Sequence, residues 1–258
     1  GSESSSGGGG SCSGAGGNAV QFLPLHRRDE AWSVVKDYPV GATYGGFLSV
    51  NDVEYFAMDD FALTKAESKG MDPQQRLALE VGARALRDEG GYSLEAMVDA
   101  DIGSYVGVQT SDFYDLARRP DSGVGPTYLA TGANHAVASG RLPYVLGLRG
   151  ASASVTTACS TALVCCHLAR GGLDLSSTSE AALVVAVNLN LLAAMTVGVA
   201  KAGMLSTKGQ CHTLDELADG YVRSEGCAGL LLIDEKKASP VDARLAASAG
   251  RSDGVSAS

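Results

Sequence analysis

Ala151-Ser152-Ala153-Ser154-Val155-Thr156-Thr157-Ala158-Cys159-Ser160-Thr161-Ala162-Leu163-Val164-Cys165-Cys166-His167-Leu168-Ala169 holds the key to the fold. Ala151 to Thr157 is a run of small and β-branched residues, which predicts a strand. Ser160 to Ala169 predicts a helix, stopped by Gly171-Gly172. A strand passing through a tight junction into a helix is the repeating unit of α/β folds. Cys159 stands at that junction. A thiol there faces the unpaired N–H groups and the positive dipole end of the helix, which stabilise negative charge on sulfur. The same groups stabilise the oxyanion formed when a sulfur attacks a thioester carbonyl. Leu163, Val164, Cys165, Leu168 and Ala169 make the helix apolar on most faces, which predicts burial and places Cys159 at the bottom of a pocket. On spacing and composition alone, a small buried thiol and a nucleophile both stay open.

Outward from this unit, Asp72-Pro73-Gln74-Gln75-Arg76-Leu77-Ala78-Leu79-Glu80 predicts a second helix. Asp72 is the N-cap and Pro73 takes the first helical position, where no N–H is missed. Apolar positions continue through Val81, Ala85 and Leu86 to a stop at Gly90-Gly91. Ile102 to Gln109 predicts a strand in which Gly107 marks close backbone approach. Thr127 to Leu142 predicts a helix ending before Pro143, and Leu183 to Leu189 a strand buried on both faces. Gly226 to Asp234 predicts another strand, and Tyr38 to Val53 reads as turns and short extended pieces. Strands alternating with helices give an α/β domain built around a mixed sheet.

Composition narrows the function classes. The 258 residues are 45% hydrophobic with a formal charge of −9, without the clustered Lys and Arg of a nucleic-acid surface. The longest apolar stretch, Ala181 to Ala194, is interrupted by Asn188 and Asn190, so no transmembrane helix is expected. The six cysteines, at 12, 159, 165, 166, 211 and 227, contain no CxxC pair. Cys165, Cys166 and His167 are consecutive and point about 100° apart on a helix, so they do not converge on one metal ion. No cofactor or metal is expected. Residues 1–17 are Gly/Ser-rich and expected to be disordered, with the domain running from 18 to 258.

With these residues in view, the segment Thr157 to Ala169 resembles the active-site signature of β-ketoacyl synthases. Met71 to Leu77 resembles a signature of the polyketide synthase members. Ala130-Thr131-Gly132, Ala138-Ser139-Gly140-Arg141 and Tyr144 to Gly150 form a third, Lys201 to Ser206 a fourth and Ala218 to Gly226 a fifth. All fall in family order. The resemblance covers about Val20 to the end and implies a thiolase-like α/β fold, of which this chain is the first of two α/β/α halves. It implies Cys159 as the catalytic nucleophile, which takes an acyl group from the phosphopantetheine arm of an acyl carrier protein. A malonyl-type extender is then decarboxylated, and its carbanion attacks the cysteine-bound thioester with the help of two histidines. The product class, polyketide or fatty acid, stays open. A homodimer is also implied, with its contact along Ala151 to Val155.

Departures from the family pattern carry their own expectations. His26, His135, His167 and His212 match neither family histidine and are read as structural or surface residues. Thr156 stands where polyketide members usually carry Asp, and Ser224 where Gly is usual. The opening family strand is not evident, and Gly250 to Ser256 resembles a mid-protein loop, so the chain is expected to be cut at its end. The alternative is a non-catalytic half-synthase that binds carrier protein or pairs with a complete subunit.

Overall fold

Val, Ile, Leu and Ala supply the strands with side chains that fill a pleated surface on both sides. The computed structural model describes residues 21–22, 39–109, 111–175, 178–235, 242–252 and 254–255. The Gly/Ser-rich segment 1–17 and His26 lie outside the described residues. A short antiparallel ribbon pairs β1 (Gln21–Phe22) with β2 (Tyr44–Gly45). Helices α1 (Val50–Glu54) and α2 (Lys65–Gly70) lead to α3 (Pro73–Arg84), which continues as a π-turn, Ala85–Glu89. Then come α4 (Leu94–Met97), β3 (Ile102–Val108), α5 (Phe113–Ala117), α6 (Pro126–Gly132) and α7 (His135–Leu146). The chain continues through β4 (Ser152–Val155), α8 (Thr161–Leu175), β5 (Ala181–Asn188), α9 (Ala193–Lys201) and β6 (Gly226–Ile233).

The main sheet has the order β4-β3-β5-β6, in which β4, β3 and β5 are parallel and β6 runs antiparallel to β5. Alternation along the strands divides the core in two. Ile102, Val106, Val108, Leu183, Val185 and Val187 face α3 and α7, where they meet Leu79, Leu86 and Leu142. Tyr105, Ala182 and Val184 face α8, where they meet Cys165 and Ala169. The result is the three-layer α/β/α arrangement expected of a thiolase-like half. Fully buried Leu79, Leu86, Ile102 and Leu183 each contribute about 1.5–3 kcal/mol by leaving water.

Three local expectations are corrected. The predicted helix Thr127–Leu142 is two helices, because Asn134 caps the second by accepting from the Ala136 N–H at 2.9 Å. Gly132 closes the first helix against the backbone of Gly70, at a separation that leaves no room for a Cβ. Helix α7 also runs through Pro143 instead of ending before it. A proline there leaves the Ser139 carbonyl without its helical donor, and the Ser104 hydroxyl from β3 donates to that carbonyl at 3.1 Å. Finally, α8 passes through Gly171-Gly172 to Leu175, with the Tyr105 hydroxyl occupying the space a Cβ on Gly172 would need.

Helix α8 is not buried on most of its faces. Thr161, Cys165 and Ala169 form its one buried stripe, while Leu163 is 74% exposed and Leu175 91%. The sheet covers one side of the helix, and the opposite apolar side stands open among the described residues.

Candidate functional site

The three parallel strands all point their C-terminal ends toward the same edge, where open α/β sheets bind their ligands. From β4 the chain reaches Cys159 through a sharp turn. Thr156 donates its hydroxyl to the Val108 carbonyl at 2.6 Å, pinning the end of β4 to the end of β3. Thr157 follows at φ −134° and ψ 39°, then Ala158 at φ 54° in the left-handed region. Non-glycine residues enter that region at a cost, so the turn must be held by its surroundings. Ala158–Ser160 form one 3-10 turn before α8 begins. The Ser160 hydroxyl donates to the Thr157 carbonyl at 2.7 Å, and Thr161 Oγ1 accepts from the Thr157 N–H at 2.9 Å.

Cys159 is exposed, which corrects the expectation of a pocket-bottom thiol. The thiol sits at the head of α8, whose outward face lacks a cover among the described residues. Cys165, six positions further on, is completely buried, and burial pushes its thiol up to about 11. Burial likewise pushes Cys227 up to about 12. Five free cysteines are described, and Cys159 and Cys211 are the exposed ones.

From the ends of β3 and β5 come the groups that fix the surrounding loops. Asp112 accepts from the Leu192 N–H at 2.9 Å; burial raises its carboxyl above the usual range, against the pull of that bond and of Arg223. Glu225 bridges two segments, accepting from the Asn190 N–H at 2.9 Å and the Leu48 N–H at 3.0 Å. Gln74 Oε1 accepts from the Leu189 N–H at 3.2 Å. Asp72 caps α3 by accepting from the Gln74 N–H at 2.8 Å, and the Ser111 hydroxyl donates to its other oxygen. Burial raises the Asp72 carboxyl, and the Ser111 and Gln74 bonds oppose that shift. A small cavity lined by Asp72, Gln74, Gln75, His135, Val106 and Val187 lies on the α3/α7 side of the sheet. Cys159 does not line it.

The structure therefore brings Cys159 together with Thr156, Thr157, Ser160 and Thr161. It does not bring any described histidine into hydrogen bonding with Cys159. His135 opens α7 and lines the small cavity, His167 meets the Ser248 hydroxyl at 2.9 Å, and His212 lies 3.9 Å from Asp215. Among the described residues, no group of three His, Cys, Asp or Glu side chains is placed to hold a metal ion, and no helix is long and apolar enough to cross a membrane. Sequence reasoning overlooked Thr161 and Glu225. Their partners are distant or depend on turn geometry, and a hydroxyl two residues past a candidate nucleophile was the one local signal available.

Comparison with known proteins gives a consistent picture. The family described as "Beta-ketoacyl synthase, N-terminal domain" matches residues 15–238. A phenolphthiocerol/phthiocerol polyketide synthase of Mycobacterium tuberculosis is 39% identical over 191 residues, covering 73% of this chain and 10% of that protein. A highly reducing polyketide synthase of a Fusarium species is 37% identical over 191 residues, covering 74% of this chain and 7% of that protein. The chain thus spans about a tenth of the length of the curated relatives it matches. Among solved structures, the ketosynthase from module 6 of the bacillaene synthase of Bacillus subtilis 168 aligns with a TM-score of 0.70 and 32% identity, over 85% of this chain and 35% of that one. An oxazolomycin ketosynthase domain of Streptomyces albus JA3453 aligns at 0.71 and 29%, over 84% and 39%.

Proposed function

The chain belongs to the β-ketoacyl synthase family, and from that membership we propose that it carries the acyl-accepting half of a polyketide synthase condensing domain, with Cys159 as nucleophile. The observation that carries the proposal is the placement of Cys159 on a strained turn at the head of α8, inside the segment that resembles the family's active-site signature. The domain is taken as residues 18–258.

The step assigned to these residues is acyl transfer. The Cys159 thiolate attacks the carbonyl of an acyl thioester on the phosphopantetheine arm of a carrier protein. A new S–C bond forms, the carrier's C–S bond breaks, and the carrier thiolate leaves and takes up a proton. Condensation follows when a malonyl-type extender loses carbon dioxide and its carbanion attacks the acyl-Cys159 carbonyl, expelling the Cys159 sulfur. The groups that assist that second stage are not supplied by the described histidines.

The test is acylation of the chain by an acyl thioester, read as a mass increment on the Cys159 peptide. Cys159→Ala is expected to lose the increment, while Cys165→Ala and Cys166→Ala keep it. An increment that survives in Cys159→Ala would remove Cys159 as the nucleophile.

A homodimer forms along β4 in this reading. That strand is an edge of the sheet, paired only on its β3 side among the described strands, and an open edge is a template for pairing. Sedimentation as a monomer at micromolar concentration would overturn it. A second reading, a non-catalytic half-synthase that binds carrier protein or pairs with a complete subunit, draws support from the open apolar side of α8. Failure of every acyl thioester to label the chain, together with capture of a carrier protein, would favour it.

A further inference from the structure

We infer that Thr161 is a positioning residue for Cys159, its hydroxyl holding the turn that presents the sulfur. The inference rests on the reading of Cys159 as the acyl-accepting nucleophile. Thr161 is the first residue of α8 and is buried. Its Oγ1 accepts from the Thr157 N–H at 2.9 Å and donates to the Ala158 carbonyl at 2.6 Å. One hydroxyl thus uses both of its functions to bracket Ala158, the residue held at φ 54° immediately before the sulfur.

Thr161 is itself fixed from below. A Cβ on Gly107 would lie 2.7 Å from Thr161 Cγ2 and 3.3 Å from Cys165 Sγ, so the glycine in β3 lets the head of α8 settle directly onto the sheet. A continuous set of contacts therefore runs from β3 through Thr161 to Ala158 and Cys159. The neighbouring hydroxyls serve other ends. Thr156 donates to Val108 in β3, and Ser160 donates back to Thr157. Neither is hydrogen-bonded to Ala158.

The consequence is chemical. Acyl transfer passes through a tetrahedral oxyanion that is stabilised only when donor groups are already aligned as charge develops. Alkylation of the same sulfur by iodoacetamide displaces iodide from a saturated carbon and forms no oxyanion. Loosening the turn should slow acylation far more than alkylation, whereas a general loss of structure would not separate the two.

The experiment measures both rate constants at Cys159 in the full chain, with an acyl N-acetylcysteamine thioester and with iodoacetamide, by peptide mass. Thr161→Val keeps the methyl against Gly107 and removes the hydroxyl. Its acylation-to-alkylation ratio is expected to fall by about tenfold or more, and Thr161→Ser to restore it. If Thr161→Val does not fold, Thr161→Ala against Thr161→Ser makes the same comparison. An unchanged ratio in the hydroxyl-free variant, or a fall in Thr161→Ser equal to it, would overturn the inference. Label persisting in Cys159→Ala would instead remove the nucleophile assignment on which it rests.

Discussion

Arg141 donates through Nε to Oε1 of Gln75 at 2.8 Å, a buried contact that joins α7 to α3. The same guanidinium donates through Nη1 to Glu67 at 2.9 Å, and Gln75 Nε2 donates to the carbonyls of Thr131 and Asn134 at 3.3 Å each. Gln75 therefore ties α3, α6 and α7 into one unit beneath the sheet edge. Removing one member strands the others in a site where Arg141 is only 6% exposed. Arg141→Ala is expected to lower the unfolding free energy by about 3–5 kcal/mol. Arg118→Ala breaks a surface pair with Asp115 and is expected to cost about 1 kcal/mol or less. Urea denaturation of the two variants side by side checks this, and equal losses would contradict it.

Asp72 gives the stability a pH dependence of defined sign. Burial raises its folded pKa above the ordinary 3.8, so through the interval between those values the folded chain holds more protons than the unfolded one. Its contribution is full below the unfolded pKa and is lost as pH rises through the folded pKa. Asp72→Asn keeps a capping side chain but does not titrate. Stability of the unsubstituted chain relative to Asp72→Asn should therefore increase as pH falls from 7 toward 4. Denaturation midpoints across that range measure it, and a constant difference would contradict the raised pKa.

Thiol reactivity should divide along burial. At pH 8 the Cys165 and Cys227 thiols, at about 11 and about 12, are almost wholly protonated, and only thiolate reacts. Iodoacetamide should mark the exposed Cys159 and Cys211 in the folded chain, and Cys165 and Cys227 only after unfolding. Peptide mapping gives the order, and early label on Cys165 would contradict the packing of α8.

Two glycines should respond to alanine in opposite directions. A Cβ on Gly132 would collide with the backbone of Gly70, so Gly132→Ala forces α2 and α6 apart and is expected to cost about 1–3 kcal/mol. Gly171 lies inside α8 with open space where a Cβ would stand, so Gly171→Ala is expected to gain about 0.5–1 kcal/mol. Thermal melts of the two variants decide the signs.

Much of this architecture could be read locally. Asp72-Pro73 marks the start of α3 because a cap and a first-turn proline act within their own few residues. The strands around Val106, Val185 and Leu231 could be read because apolar density is itself the signal for a buried sheet. The passage of α7 through Pro143 could not, since it depends on Ser104 reaching Ser139 from another element. Gly171-Gly172 was expected to end a helix, but the Tyr105 hydroxyl from β3 fills the space beside Gly172. At the site, Cys159 stood out by its position between strand and helix. Its exposure did not, because burial of α8 is decided by what covers it and not by its own apolar content.

The sheet order has a consequence for how the chain is made. Strand β3 is buried at every position, yet both of its neighbours lie later in the sequence. Ile102 pairs with Ala181, roughly 80 residues downstream, so at ordinary synthesis rates β3 waits about 4–16 seconds for its central partner. Strand β4 arrives sooner, with Ser152 roughly 50 residues after its partner Ser104, so until then β3 is an apolar strand with no neighbour to pair with. Slower synthesis between Val108 and Ser152 would lengthen the time this apolar strand stands without a neighbour, which is when a nascent chain is exposed to aggregation.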